Sequence, residues 1–98
     1  MRIKKYDVVR HFKFETLTET EKLKNVYTYQ ILNTDVLHTE TAEHLIVYKS
    51  LYDGHNVSYG QIFARPLEMF LSEVDHVKYP NIKQKYRFET ISHNDKEI

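Results

Sequence analysis

The chain has 98 residues, a length typical of one domain, so we expect a single domain over residues 1–98. Lysine and arginine total 14, as do aspartate and glutamate, and this zero net charge argues against a broad basic face for nucleic acid while leaving room for a small local patch. The absence of cysteine excludes disulfides, thiolate metal sites and cysteine nucleophiles.

Hydrophobic residues make up 41% of the chain and include 8 Tyr and 5 Phe, which is enough for a core that depends on aromatic rings. No apolar run approaches the ~18 residues of a membrane span. Residues 1–10 also lack the apolar middle of a signal peptide. We therefore expect a cytoplasmic protein that has no membrane partner.

The N-terminal quarter predicts one strand and one polar connection. Asp7–Phe14 carries β-branched and aromatic residues among polar ones and is predicted as a half-buried strand. Glu15–Asn25 is almost wholly polar and is predicted as an exposed loop with one helical turn. Thr18 and Glu21 have capping-box spacing there, and Leu23 is the one apolar side chain available to anchor the turn.

The middle of the chain predicts three more strands. Val26–Leu32 alternates with a period of two, and residues 33–35 then predict a turn or bulge. Glu43–Tyr52 fits both a helical stripe and a strand face, and its β-favouring residues favour the strand. Asp53-Gly54 is a turn dipeptide, from which we expect a tight hairpin returning as a strand over Val57–Arg65.

The C-terminal third begins at Pro66, which should end that strand because proline lacks an N–H for the ladder. A short helical turn over Pro66–Leu71 should follow, closing one end of the fold with its apolar side chains. Tyr86, Phe88 and Ile91 indicate a last strand. From these elements we expect a domain core over about residues 7–91 and a charged, frayed tail over 92–98.

About five short strands and one helical turn predict a mostly β fold, and an SH3-like barrel in particular, because closure hides exposed strand edges. Six motifs occur in order between about Val9 and Ile91, namely Arg10-His11-Phe12-Lys13, His38-Thr39-Glu40-Thr41, Leu45-Ile46-Val47-Tyr48, Leu51-Tyr52, Ala64-Arg65-Pro66-Leu67-Glu68-Met69-Phe70 and Arg87-Phe88. Together they resemble the DUF1653 family of small bacterial proteins. The resemblance implies a small SH3-like barrel, and it supplies no activity, substrate or catalytic residue.

Three positions depart from that family pattern. Phe14 stands where the family usually has glycine, and residues 15–25 form an insertion into a shorter connection. Phe63 lies near the position of the family's usual tryptophan before the Arg-Pro pair. The first hairpin and any aromatic ligand platform near Phe63 are therefore expected to differ here.

The most suggestive cluster of metal-ligand residue types is His38, Glu40 and His44, since imidazole and carboxylate bind divalent metals. On a strand, His38 and Glu40 share a face, but His44 lies beyond an expected turn, so a site would need a further ligand such as His11. The favoured alternative is a structural turn held by side-chain hydrogen bonds to backbone N–H groups.

A ligand site is predicted from His11, Lys13, His38, Glu40 and Arg65, which are concentrated in the resemblance motifs and are expected to converge at one barrel end. Arg65 precedes a proline, which limits its backbone, so it can present a fixed guanidinium fork to a carboxylate or phosphate. Its structural alternative is an internal ion pair with Glu40 or Glu68.

These features predict a non-enzymatic binding module for a protein, peptide or small anionic ligand. One alternative is a small barrel that binds single-stranded nucleic acid through Phe12, Tyr27, Tyr29 and Tyr48 with Lys13 and Arg65. Another is a metal-dependent enzyme using His38 and Glu40. No spacing identifies a nucleophile, and the chain has no glycine-rich phosphate loop, so we expect no catalytic residue and no cofactor.

Overall fold

The computed structural model describes residues 1–93. Its helices and strands are short, as the sequence predicts, and occur in the following order. They are β1 (Val8–His11), a 3₁₀ helix (Phe12–Thr16), α1 (Glu19–Leu23), β2 (Thr28–Leu37), β3 (His44–Ser50), β4 (Ile62–Pro66), α2 (Leu67–Phe70) and β5 (Phe88–Ser92).

The five strands form one antiparallel sheet in the order β4-β3-β2-β1-β5, which confirms the mostly β prediction and its strand number. Within residues 1–93 the sheet is open, because no ladder of hydrogen bonds joins the outer strands β4 and β5. Side-chain packing brings these two ends together. Phe70 of α2 stacks on Phe88 of β5, with ring centroids 3.9 Å apart and planes 4° from parallel.

The core lies inside this curled sheet and consists of buried aliphatic and aromatic side chains. They are Ile3, Val9, Ile31, Ile46, Tyr48, Phe70 and Phe88. Ile3 is 1% exposed although it precedes the predicted core, because the N-terminal segment folds back over the sheet. Arg2 holds that segment by donating to the carbonyl oxygen of Phe88 at 2.7 Å.

The first strand is shorter than predicted. It ends at His11 rather than Phe14, because the His11 ring Nδ1 accepts a hydrogen bond from the Lys13 backbone N–H at 3.1 Å and caps the 3₁₀ helix. A side chain that bonds nearby backbone in this way diverts the chain from the ladder. Phe12 consequently points into the fold and is buried.

The predicted helical turn in the inserted segment is α1. Thr18 caps it, and the predicted box is present, since Thr18 Oγ1 accepts from the Glu21 backbone N–H and Glu21 Oε1 accepts from the Thr18 backbone N–H. Leu23, however, is 86% exposed and does not anchor the helix. Local capping therefore holds this segment, and no residue of α1 is buried.

Strand β2 continues through the predicted bulge, where its register against β3 shifts on both sides of Asn33. Strand β4 pairs with β3 antiparallel as predicted, but the tight turn predicted at Asp53-Gly54 is wrong. Gly54 and Val57 exchange backbone hydrogen bonds around a turn in which Asn56 has φ 63°, and Gly60 (φ 81°) makes a second bend. The returning strand therefore begins only at Ile62, five residues later than expected.

The C-terminal predictions agree with the structure more closely. Pro66 ends β4 and is the N-cap of α2, whose Phe70 is fully buried. At the predicted tail, Ser92 is the last residue of β5 and pairs with Val8, and His93 Nδ1 lies 3.1 Å from a carboxylate oxygen of Asp7. Residues 94–98 lie outside the described residues.

Candidate functional site

A cavity of about 380 Å³ lies where β1 runs into the 3₁₀ helix. The turn after β1, the end of β4, the loop around residues 75–79 and the residue before β5 form its walls. Its lining combines four cations, one carboxylate and three rings, namely Lys13, Arg65, Lys78, Arg87, Asp75, His11, Phe12 and Tyr79.

The four cations give the cavity a positive charge that the neutral chain as a whole lacks. The carboxylate of Asp75 also lines the cavity, so four positive charges and one negative charge leave three net positive charges. Lys13 and Lys78 are exposed, whereas Arg65 and Arg87 are half-buried. Within residues 1–93, the ion pairs all join other residues, so no carboxylate neutralises any of these four cations.

Arg65 is held at the cavity by side chains of the core. Its Nε donates to the hydroxyl of Tyr48 at 3.3 Å, and its guanidinium carbon lies 5.4 Å from the centre of the Phe88 ring. The predicted alternative, an ion pair with Glu40 or Glu68, is not among the ion pairs of residues 1–93. The terminal nitrogens of Arg65 therefore keep their hydrogen-bonding capacity.

Arg87 is fixed through its backbone. Its N–H donates to the Ser72 carbonyl at 2.9 Å, and its own carbonyl accepts from the Phe12 N–H at 2.9 Å. Its side-chain Nε is buried and, within residues 1–93, is the one such atom that has no hydrogen-bond partner. An unpaired buried donor of this kind costs about 1–3 kcal/mol, and the side chain that carries it lines the cavity.

His11 contributes a neutral imidazole. Burial, together with the positive charges of Arg65, Lys13 and Arg87, lowers its pKa from 6.5 to about 3. Since Nδ1 accepts from the Lys13 backbone N–H, the ring proton lies on Nε2. The imidazole thus adds a hydrogen-bond donor without adding a fifth positive charge.

The loop that forms the far wall is closed by Asp75. Its Oδ1 accepts from the backbone N–H groups of Val77 and Lys78 at 3.1 and 3.2 Å. Its backbone carbonyl accepts from the Tyr79 backbone N–H at 2.9 Å. The Tyr79 ring packs on Phe12 with centroids 4.9 Å apart. Asp75 therefore shapes the loop that brings Lys78 and Tyr79 to the cavity.

The structure brings together three of the five predicted site residues, His11, Lys13 and Arg65, around this cavity. His38 and Glu40 lie instead in the turn between β2 and β3 and are not part of the lining. His38 Nδ1 accepts from the backbone N–H groups of Glu40 and Thr41 at 3.2 and 3.3 Å, which is the turn-holding role given above as the alternative.

The two alternative functions require a metal cluster and an open aromatic face, and Tyr27 and Tyr29 of that face are half-buried. No group of three or more His, Asp or Glu side chains among residues 1–93 is arranged to hold a metal ion, and His44 bonds Asp35 at 2.6 Å. For nucleic acid, Phe12 and Tyr48 are buried, so they offer no open stacking face. In the same part of the chain, no helix is long and apolar enough to cross a membrane.

Sequence reasoning missed Asp75, Lys78, Tyr79 and Arg87. The first three lie in a polar stretch that carries no strand pattern, so only their proximity in the fold marks them. Arg87 belongs to the Arg87-Phe88 motif, but the packing of Phe88 in the core is sufficient to explain that motif. An arginine directly preceding a buried strand residue was the one signal available.

Comparison with known proteins gives one match. A family model described as "Protein of unknown function (DUF1653)" matches residues 7–90. No curated protein and no solved structure matches the chain significantly.

Proposed function

Since the chain belongs to the DUF1653 family, whose description names no activity, we propose from the cavity that it is a binding module for an anionic group. One observation carries the proposal: four cationic side chains line one cavity, and no carboxylate of residues 1–93 pairs with any of them. Four positive charges against the one carboxylate of Asp75 leave a net repulsion, and a bound anion reduces it.

The two arginines are the principal ligands in this proposal. A guanidinium presents a planar fork of donors that matches the oxygens of a phosphate or carboxylate. Arg87 lines the cavity and is in none of the ion pairs of residues 1–93, and Arg65 is oriented by Tyr48. Lys13 and Lys78 add exposed charge at the rim, and the anionic group is carried by a small molecule, a peptide or a protein.

Inorganic phosphate is the first probe, and its binding is monitored by two-dimensional NMR in low-chloride buffer. We expect saturable shifts in the amide signals of Lys13, Tyr79 and Arg87. Arg65→Gln and Arg87→Gln should each weaken binding about tenfold or more, because a hydrogen bond to a charged group contributes about 1.5–3 kcal/mol. The affinity should also fall as salt is raised.

The control is Lys24→Gln, which removes one exposed charge at the end of α1, outside the cavity lining. It should bind phosphate as the wild type does. Arg65→Lys separates charge from geometry, since it keeps the charge and loses the fork. Folded Arg65→Gln and Arg87→Gln proteins that bind phosphate with wild-type affinity would refute the proposal, as would the absence of saturable binding.

A further inference from the structure

Resting on the anion-binding function above, we infer that the cavity takes a nucleoside 5′-monophosphate group, with the phosphate against Arg65 and Arg87 and the base on the ring of Tyr79.

The size of the cavity points to a ligand larger than phosphate. Water occupies about 30 Å³ per molecule in the liquid, so about 380 Å³ accommodates roughly a dozen water-sized groups. That volume also lies within the range of about 300–1,000 Å³ found for small organic ligands. A phosphate alone would leave most of the space to water, so an organic part fits beside it.

The charge of the cavity favours a phosphate monoester over a carboxylate. Three net positive charges surround the cavity, as counted from its lining. A phosphate monoester carries about −1.5 to −2 charges at pH 7, whereas a carboxylate carries only one. With His11 neutral, a phosphate monoester balances more of this charge than a carboxylate does, and the two guanidinium forks can bind its several oxygens.

Tyr79 supplies the surface for the base. Its ring is half-buried and packs on Phe12 at 60°, and the turn closed by Asp75 fixes its backbone. A tyrosine held in this way loses little conformational freedom when a ligand stacks on it, and aromatic rings stack nucleobases irrespective of sequence. The four cations and the Tyr79 ring line one cavity, in which Lys78 Nζ lies 5.5 Å from the centre of that ring, and a mononucleotide offers a phosphate for the cations and a base for the ring.

The experiment compares ribose 5-phosphate with AMP by calorimetry, because the two differ by the base alone. We expect AMP to bind wild-type protein about tenfold more tightly, in line with the stacking of one base. Tyr79→Leu should abolish that gain and leave ribose 5-phosphate binding unchanged, while Tyr79→Phe should keep it. Tyr59→Leu, which removes a tyrosine that is 63% exposed and outside the lining, is the matched control.

The outcomes separate this inference from the anion-binding function. If ribose 5-phosphate binds and AMP binds no more tightly, or if Tyr79→Leu keeps the gain, the nucleotide inference is overturned and the anion site stands. If neither compound binds but inorganic phosphate does, the nucleotide inference alone is overturned; if inorganic phosphate does not bind either, both are overturned. A 5′-phosphorylated trinucleotide identifies the source of the group: tighter binding than AMP assigns a strand end, and equal or weaker binding assigns a free nucleotide.

Discussion

Protonation of His11 should make the protein less stable in mild acid. The pKa of this imidazole is lowered by burial, and further by Arg65, Lys13 and Arg87, from 6.5 to about 3. Below pH 6.5 the unfolded chain takes up a proton at this residue, whereas the folded chain does so only near pH 3. Stability from the neutral ring is therefore complete above about pH 7.5 and is lost progressively as the pH falls toward 3.

The magnitude follows from the shift. Each pH unit between the two pKa values corresponds to about 1.4 kcal/mol, so moving from pH 7.5 to pH 5 costs about 2 kcal/mol. Solvent that reaches the ring through the cavity screens part of the effect, which leaves about 1–2 kcal/mol. The matched variant is His11→Asn, because asparagine keeps an acceptor for the Lys13 backbone N–H and cannot titrate.

Urea denaturation of both proteins at pH 7.5 and pH 5 measures the effect, and the other titrating groups cancel in the comparison. The wild type should lose about 1–2 kcal/mol more than His11→Asn. In parallel, the His11 ring signal in NMR should show no titration midpoint between pH 8 and pH 5. Equal losses in the two proteins, or a midpoint near pH 6, would refute the account of a neutral imidazole in a positive cavity.

Three further substitutions test the packing and the local structure. Arg87→Met removes the buried Nε that has no partner in residues 1–93, so urea denaturation without ligand should show no loss of stability; a loss above about 2 kcal/mol would indicate a structural guanidinium. Ile3→Ala should lower the free energy of unfolding by about 2–4 kcal/mol, since Ile3 is 1% exposed, and a loss below about 1 kcal/mol would contradict its place in the core. Thr18→Ala should destabilise α1 by about 1 kcal/mol, which hydrogen exchange would show as faster exchange over residues 19–23. Global stability should change little because α1 buries no side chain. Unchanged exchange would argue against the cap.

Local patterns in the sequence determined most of the elements. Alternation predicted β2, and β-favouring residues predicted β3. The spacing of Thr18 and Glu21 predicted α1 and its cap, and Pro66 marked the end of β4 and the start of α2. These predictions agree with the structure because each depends on residues that lie within one turn of one another. Where a side chain competes with the ladder, as His11 does, the local pattern overestimated the strand.

The cavity was decided by the tertiary structure. His11 is the last residue of β1, Lys13 follows in the 3₁₀ helix, Arg65 lies on β4, and Arg87 precedes β5. The cavity therefore joins residues up to 76 positions apart that no motif spacing connects. Strand pairing and the stacking of Phe70 on Phe88 bring the two ends of the sheet together and place these side chains around one space. The sequence alone determined that this neutral chain can form a mostly β core. The concentration of unpaired positive charge at the cavity exists only after folding, because packing sets the distances between charged groups, and their order along the chain does not.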